Sequence, residues 1–175
     1  ENDALVGELF NDAIKNKYKC IMIRPELVLA AKQFLIKHKS KVLVGTVIDF
    51  PNGKATLQNK LTEAQEAITN GADELDFVVN YKAFKKGKIA FVQNEIKECT
   101  FFCLKHQKTI KWIIETAALT NKEIIQIASL IKNVVIRYFK ETDYANVFIK
   151  SSTGFYKTNN NEPNGANTQV ITLMI

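Results

Sequence analysis

Five short, β-branched apolar runs alternate with stretches of helical period along the chain. That alternation restricts the fold more than any other feature. The runs are CIMIR at 20–24, KVLVGTVIDF at 41–50, ELDFVVN at 74–80, TIKWIIETA at 109–117 and NVFIKSSTG at 146–154. They are nearly continuous rather than alternating, as strands buried on both faces are. Between them lie segments with apolar residues at three- and four-residue spacing, at 5–17, 26–39, 56–71, 88–107 and 122–139, with another beginning at 168. Pro25 suits the first turn of the second helix, and Gly71 suits the C-terminal cap of the third. The fifth helix is long, and a break is expected near Asn133.

Strand followed by helix, repeated five times, describes a parallel sheet built of βαβ units. An open doubly wound sheet and a (β/α)8 barrel both fit the pattern. No GxGxxG follows a strand and no GxxxxGK[ST] occurs, so dinucleotide and P-loop readings lack their phosphate cradle. A (β/α)8 barrel has eight strands and about 250 residues. With 175 residues and five candidate strands, the chain is an open fold or an incomplete barrel. One domain spanning 1–175 is expected, with NNNEPNGAN at 159–167 as the candidate flexible loop.

Charge and cysteine content narrow the functional classes. The net charge of +6 favours anionic partners in general terms. The lysines are dispersed, however, and no basic cluster is interleaved with stacking aromatics, so nucleic acid is not an expected partner. Lys37, Lys39 and Lys41 read as solvated. No apolar run is long enough to span a bilayer, and no signal-peptide pattern opens the chain, so neither membrane nor export is expected. Cys20, Cys99 and Cys103 read as free thiols of a reducing, cytoplasmic compartment. His38 and His106 sit near helix ends and offer no metal-ligand spacing with them.

Polar groups inside buried strands are costly unless satisfied, and they mark the candidate chemistry. Lys150 follows an apolar strand and precedes Ser-Ser-Thr-Gly. A desolvated lysine, or one beside another cation, is more readily a neutral nucleophile that forms a Schiff base; a snorkelling strand-end lysine is the plain alternative. Asp76 shares a strand face with Val78 and Asn80, as a general acid–base or as the partner of a structural lysine. Lys111, Ile113 and Glu115 share a face, which places Lys111 and Glu115 in the cavity of Lys150 or in an ion-pair lattice. Asp73 and Glu74, just before Asp76, are expected to face solvent or to cap. Ser151, Ser152, Thr153 and Gly154 present hydroxyls and backbone N–H groups to a sugar or an anion, or form an ordinary turn.

Taken together, these segments resemble the deoxyribose-phosphate aldolase family. KSSTGF at 150–155 is similar to its KTSTG signature, and GADELDFVVN at 71–80 to its GADE-[VIL]-D segment. IKWIIETAALT at 110–120, VGTVIDFPNG at 44–53 and CIMIRPELVLAAKQFL at 20–35 resemble three further family segments, in the family's order. The resemblance implies a (β/α)8 barrel and reversible cleavage of 2-deoxy-D-ribose 5-phosphate to D-glyceraldehyde 3-phosphate and acetaldehyde. It makes Lys150 the Schiff-base lysine and Asp76 the proton-transfer residue. Lys111, Thr153, Cys20 and Glu115 become residues that bind substrate or tune the amine.

The chemistry so implied uses no metal and no cofactor, and its partners are a sugar phosphate and an aldehyde. Exposed strand and helix faces favour a homodimer. The family's first-strand motif and its later Gly-Lys-Gly-Gly strand, the source of a second lysine and much of the phosphate cup, have no counterpart in the sequence. The expected form is thus an incomplete barrel lacking the first strand and the last two. Another Schiff-base aldolase or transaldolase on this fold, and a non-catalytic fragment, are the competing expectations.

Overall fold

A computed structural model of the chain describes residues 2–158 and 164–175, with side chains from residue 6 onward. Five strands, β1 (Cys20–Ile23), β2 (Leu43–Ile48), β3 (Glu74–Val78), β4 (Thr109–Ile113) and β5 (Val147–Lys150), form one sheet. Every neighbouring pair is parallel, and the spatial order equals the chain order. A doubly wound sheet reverses its strand order at a switch point. This sheet never does. With the right-handed crossovers that parallel strands adopt, an unreversed order puts the connecting helices on one face. That is the arrangement of a (β/α)8 barrel wall.

The helices are α1 (Asn2–Lys15), α2 (Val28–Lys37), α3 (Leu57–Thr69), α4 (Tyr81–Lys85), α5 (Ile89–Lys105), α6 (Asn121–Tyr138) and α7 (Thr168–Met174). Pro25 opens a short 3-10 turn that runs into α2. Thr56 caps α3 by accepting from the Asn59 N–H, and Thr120 and Glu123 form a reciprocal capping box on α6. Gly71 follows the end of α3 at φ 101°, and a Cβ there would meet the Lys32 side chain at 2.6 Å. Two features depart from expectation. Helix α6 runs unbroken through Asn133, because Ile131, Val134 and Val135 keep one buried stripe across that position. The short helix α4 follows β3 directly and gives no apolar period of its own length to read. The Asn-rich loop lies partly outside the described residues.

The period of two within each strand sorts side chains between the faces. Ile21, Ile23, Val44, Ile48, Leu75, Phe77, Ile110 and Trp112 are buried and pack toward the helices. Trp112 also donates from Nε1 to the Thr100 hydroxyl at 3.1 Å. The register aligns Gly45 with Glu74, Val47 with Asp76, and Asp76 with Lys111, so these residues share the other face. Ile113 aligns with Lys150, which puts Lys150 on that face too. The sequence thus builds an apolar face for the helices and a charged face for the barrel interior.

Candidate active site

The interior face brings two lysines and two carboxylates into contact. Asp76 comes from the middle of β3 and is fully buried. Its Oδ2 lies 2.8 Å from Lys150 Nζ, and its Oδ1 lies 3.2 Å from Lys111 Nζ. The second contact is a charge pairing without hydrogen-bond alignment. Lys111 also pairs with Glu74 Oε2 at 2.5 Å. Burial is the largest single influence on Lys111 and pulls its pKa down. The hydrogen bond to Glu74 and the charges of Asp76 and Glu74 together outweigh burial, so its pKa stands above the ordinary lysine value. Lys111 is therefore a fixed cation at neutral pH, sharing the carboxylate that holds Lys150.

Glu74 is the residue that sequence reasoning misplaced. It is not solvent-facing but 4% exposed, as the first residue of β3 on the same face as Asp76. The signal was available, because a period of two from Asp76 reaches Glu74 directly. Asp73 is likewise engaged: it bridges Lys32 at 2.7 Å and accepts from the Val44 N–H at 3.0 Å.

Cys20 and Met22 alternate onto the charged face from β1. Met22 Sδ lies 3.7 Å from Lys111 Nζ. The Cys20 thiol is pushed up to about 12, by burial first and by the neighbouring Glu74 charge next. It is a neutral, half-buried wall of the cluster rather than a nucleophile.

Glu115 is the residue the structure does not bring to this cluster. Strand β4 ends at Ile113, and Glu115 stands at φ 56°, in the left-handed region. The alternation that would have carried it inward has stopped by then. Its Oε2 instead accepts a very short hydrogen bond from the Thr153 hydroxyl and one from the Thr153 N–H at 3.3 Å. The Thr153 hydroxyl in turn accepts from the Phe155 N–H at 3.0 Å. Glu115 thus shapes the loop after Lys150. It lines a separate cavity of about 350 Å³ with Tyr81, Lys82, Tyr156 and Lys157.

Burial raises the Glu115 pKa, and the two Thr153 hydrogen bonds only partly oppose it. The folded protein therefore holds that proton more tightly than the unfolded chain does. Ionising Glu115 as pH climbs above the ordinary carboxylate range costs stability. A Glu115→Gln protein, which keeps an acceptor for Thr153, is expected to lose less stability than wild type between that range and neutral pH. Urea unfolding of both proteins across this window checks it. Parallel curves would show that Glu115 is not linked to folding.

Lys150 opens onto a cavity of about 340 Å³ whose walls include Met22, Arg24, Val47, Phe50, Thr153 and Phe155. Its side chain is 39% exposed, so a small carbonyl compound can reach the amine. A larger cavity of about 550 Å³ lies on the opposite face, between α6, β5 and α7, and does not include Lys150. The histidines sit where expected, each at a helix C-terminus with Nδ1 2.8 Å from a main-chain carbonyl. All three cysteines carry free thiols, two of them buried. Among the described residues no helix is long and apolar enough to cross a membrane.

A second buried ionic group, not anticipated from sequence, supports the loops around this mouth. Lys60 of α3 is fully buried, with Nζ 2.7 Å from Glu95 Oε1 and 3.4 Å from Asp49 Oδ2, and it donates to the Val78 carbonyl at 2.6 Å. Glu95 also accepts from the Asn80 N–H at 2.9 Å. The group ties the segments that leave β2 and β3. Its trace in the sequence is that Lys60 falls on the buried stripe of α3 with Ala64 and Ala67.

Comparison with known proteins gives a consistent assignment. Deoxyribose-phosphate aldolase from Metamycoplasma arthritidis is 41% identical over 150 residues, covering 86% of this chain and 63% of the relative. The enzyme of that name from Caldicellulosiruptor saccharolyticus is 32% identical over 154 residues, covering 87% of this chain and 64% of the relative. The chain thus spans less than two thirds of these relatives' length. A crystal structure from Coccidioides immitis superposes with a TM-score of 0.82 at 28% identity, over 98% of this chain and 60% of its own. The aldolase QR15 superposes at 0.77 with 30% identity, over 97% and 66%. The five-stranded wall is accordingly part of a (β/α)8 barrel. A family model described as DeoC/LacD family aldolase matches residues 3–170, and the chain belongs to that family.

Proposed function

We propose that the protein carries out class I aldol cleavage of 2-deoxy-D-ribose 5-phosphate, with Lys150 as the Schiff-base nucleophile. The observation that carries this is the Lys150–Asp76–Lys111 cluster at the mouth of a barrel wall. It places one accessible amine, one buried carboxylate and one fixed cation within ion-pair distance. Relatives that match 86% and 87% of this chain bear the name of that activity.

In this scheme the neutral Lys150 amine adds to the C1 aldehyde of the open-chain sugar. Water leaves and an iminium forms. The C3 hydroxyl gives up its proton, the C2–C3 bond breaks, and its electron pair flows into the iminium to give an enamine. D-Glyceraldehyde 3-phosphate departs. Protonation of the enamine at C2 and addition of water then release acetaldehyde and free Lys150. Asp76, within hydrogen-bond reach of Lys150, passes these protons. Lys111, held by Glu74 and Asp76, is a fixed positive charge beside the carboxylate that contacts Lys150.

Incubation of the full-length protein with acetaldehyde and sodium borohydride tests the nucleophile. An adduct of ethyl size, mapped by peptide mass to Lys150 and missing from Lys150→Ala, is the expected result. A folded wild-type protein with no Lys150 adduct would sink the Schiff-base reading and leave a non-catalytic member of the fold. An adduct without cleavage of this sugar would redirect the assignment to another sugar phosphate.

A further inference from the structure

Glu74 has no step in the cleavage scheme, yet it is 4% exposed and shares a strand face with Asp76. A carboxylate that far out of water needs a partner. Lys111 is that partner. Its Nζ lies 2.5 Å from Glu74 Oε2, 3.2 Å from Asp76 Oδ1 and 3.7 Å from Met22 Sδ. The register sets Gly45 beside Glu74. A Cβ on Gly45 would meet Met22 Sδ at 2.3 Å and Cys20 Sγ at 3.1 Å. Its missing side chain therefore gives Cys20 and Met22 room on this face.

Lys111 divides unequally between its two carboxylates. The Glu74 contact is the short, charge-assisted one. The Asp76 contact is longer, and Asp76 Oδ1 is buried without a hydrogen bond among the described residues. Asp76 Oδ2 accepts from Lys150 at 2.8 Å. One oxygen of Asp76 is thus bonded and the other is open. A carboxylate that accepts from cations through both oxygens is held as the anion and is a poor base. With one oxygen open, Asp76 can still take up a proton.

We infer that Glu74 is a positioning residue for proton transfer: by taking the hydrogen bond of Lys111, it leaves Asp76 one oxygen free to exchange a proton. Glu74 acts through Lys111 and Asp76, and the inference rests on the aldolase reading. With glutamine in its place the charge that holds Lys111 is gone. The ammonium then turns to Asp76, and both oxygens of Asp76 become bonded.

Hydrogen exchange into acetaldehyde isolates this role. On the iminium at Lys150 a C2–H bond breaks, and its electron pair forms a C1–C2 double bond while the iminium pair moves to nitrogen. The proton goes to Asp76, and a deuteron from D2O returns by the reverse path. Borohydride trapping reads the iminium before that step. In the full-length protein the exchange rate, followed by proton magnetic resonance, is divided by the trapping rate, so the ratio does not depend on the fraction folded. Wild type, Glu74→Gln, Asp76→Asn and the double variant are compared.

Glu74→Gln is expected to trap acetaldehyde within about twofold of the wild-type rate while its ratio falls at least about fivefold. In the Asp76→Asn background the same substitution should change the ratio by less than about twofold, because its effect passes through Asp76. A smaller fall in the single variant, a loss of the same size on top of Asp76→Asn, or a Glu74→Gln protein that no longer traps acetaldehyde overturns the positioning role. Wild type that forms no iminium removes the aldolase reading and this inference with it. An iminium whose exchange is indifferent to Glu74 removes the inference alone.

Discussion

An Asp76→Asn protein is expected to lose about 10²–10⁴-fold in kcat for cleavage while still forming the borohydride-trapped adduct at Lys150. The expectation follows from the two jobs that one carboxylate holds. Asp76 Oδ2 touches Lys150 and Oδ1 faces Lys111, and the residue has no exposure to water. Asparagine keeps the shape but cannot carry a proton between substrate hydroxyl, enamine and solvent. Lys150 is exposed enough to be solvated without its partner, and Lys111 keeps Glu74. The amine therefore remains reactive toward acetaldehyde while turnover fails. Lys150→Ala loses both properties. The measurement is steady-state cleavage beside single-turnover trapping on each variant. If Asp76→Asn turned over at the wild-type rate, the carboxylate would be a structural partner of two lysines, and proton transfer would belong to another group or to water.

The parts of the molecule legible in sequence are those set by one periodicity at a time. The five strands appear because Val44 to Ile48 or Phe77 to Val79 need nothing but burial to be recognised. Lys150, Asp76 and Lys111 were legible because a charge within such a run must be explained, and the parallel register then sets them side by side. Barrel and open sheet were not separable. Their local units are identical, and only the unreversed strand order distinguishes them.

Glu115 lies beyond the reach of strand periodicity: β4 ends two residues before it, and its left-handed backbone turns the side chain away from the alternation that sets Lys111.

The largest stability effect is expected at Lys60, outside the Lys150–Asp76–Lys111 cluster. Lys60→Met removes the only cation in contact with Glu95 and Asp49 among the described residues. It leaves two carboxylates at the base of the β2 and β3 loops with their charge uncompensated. Losing one partner of a buried pair costs about 3–5 kcal/mol, roughly a 10 °C fall in Tm for a chain of this size. Glu95 already stands above the ordinary carboxylate range, with burial the main cause and Lys60 opposing it. Without Lys60 its pKa rises further, and the folded state holds that proton still more tightly than the unfolded chain. The deficit of Lys60→Met is therefore greatest at neutral pH and shrinks as pH falls and Glu95 protonates. Adding Glu95→Gln, which keeps an acceptor for the Asn80 N–H, is expected to recover part of the loss by removing one stranded charge. Urea unfolding of wild type, single and double variants at neutral and mildly acidic pH measures all three terms. A Lys60→Met protein as stable as wild type would mean that water reaches the carboxylates, and that the loops carrying Phe50 and Asn80 are held by packing alone.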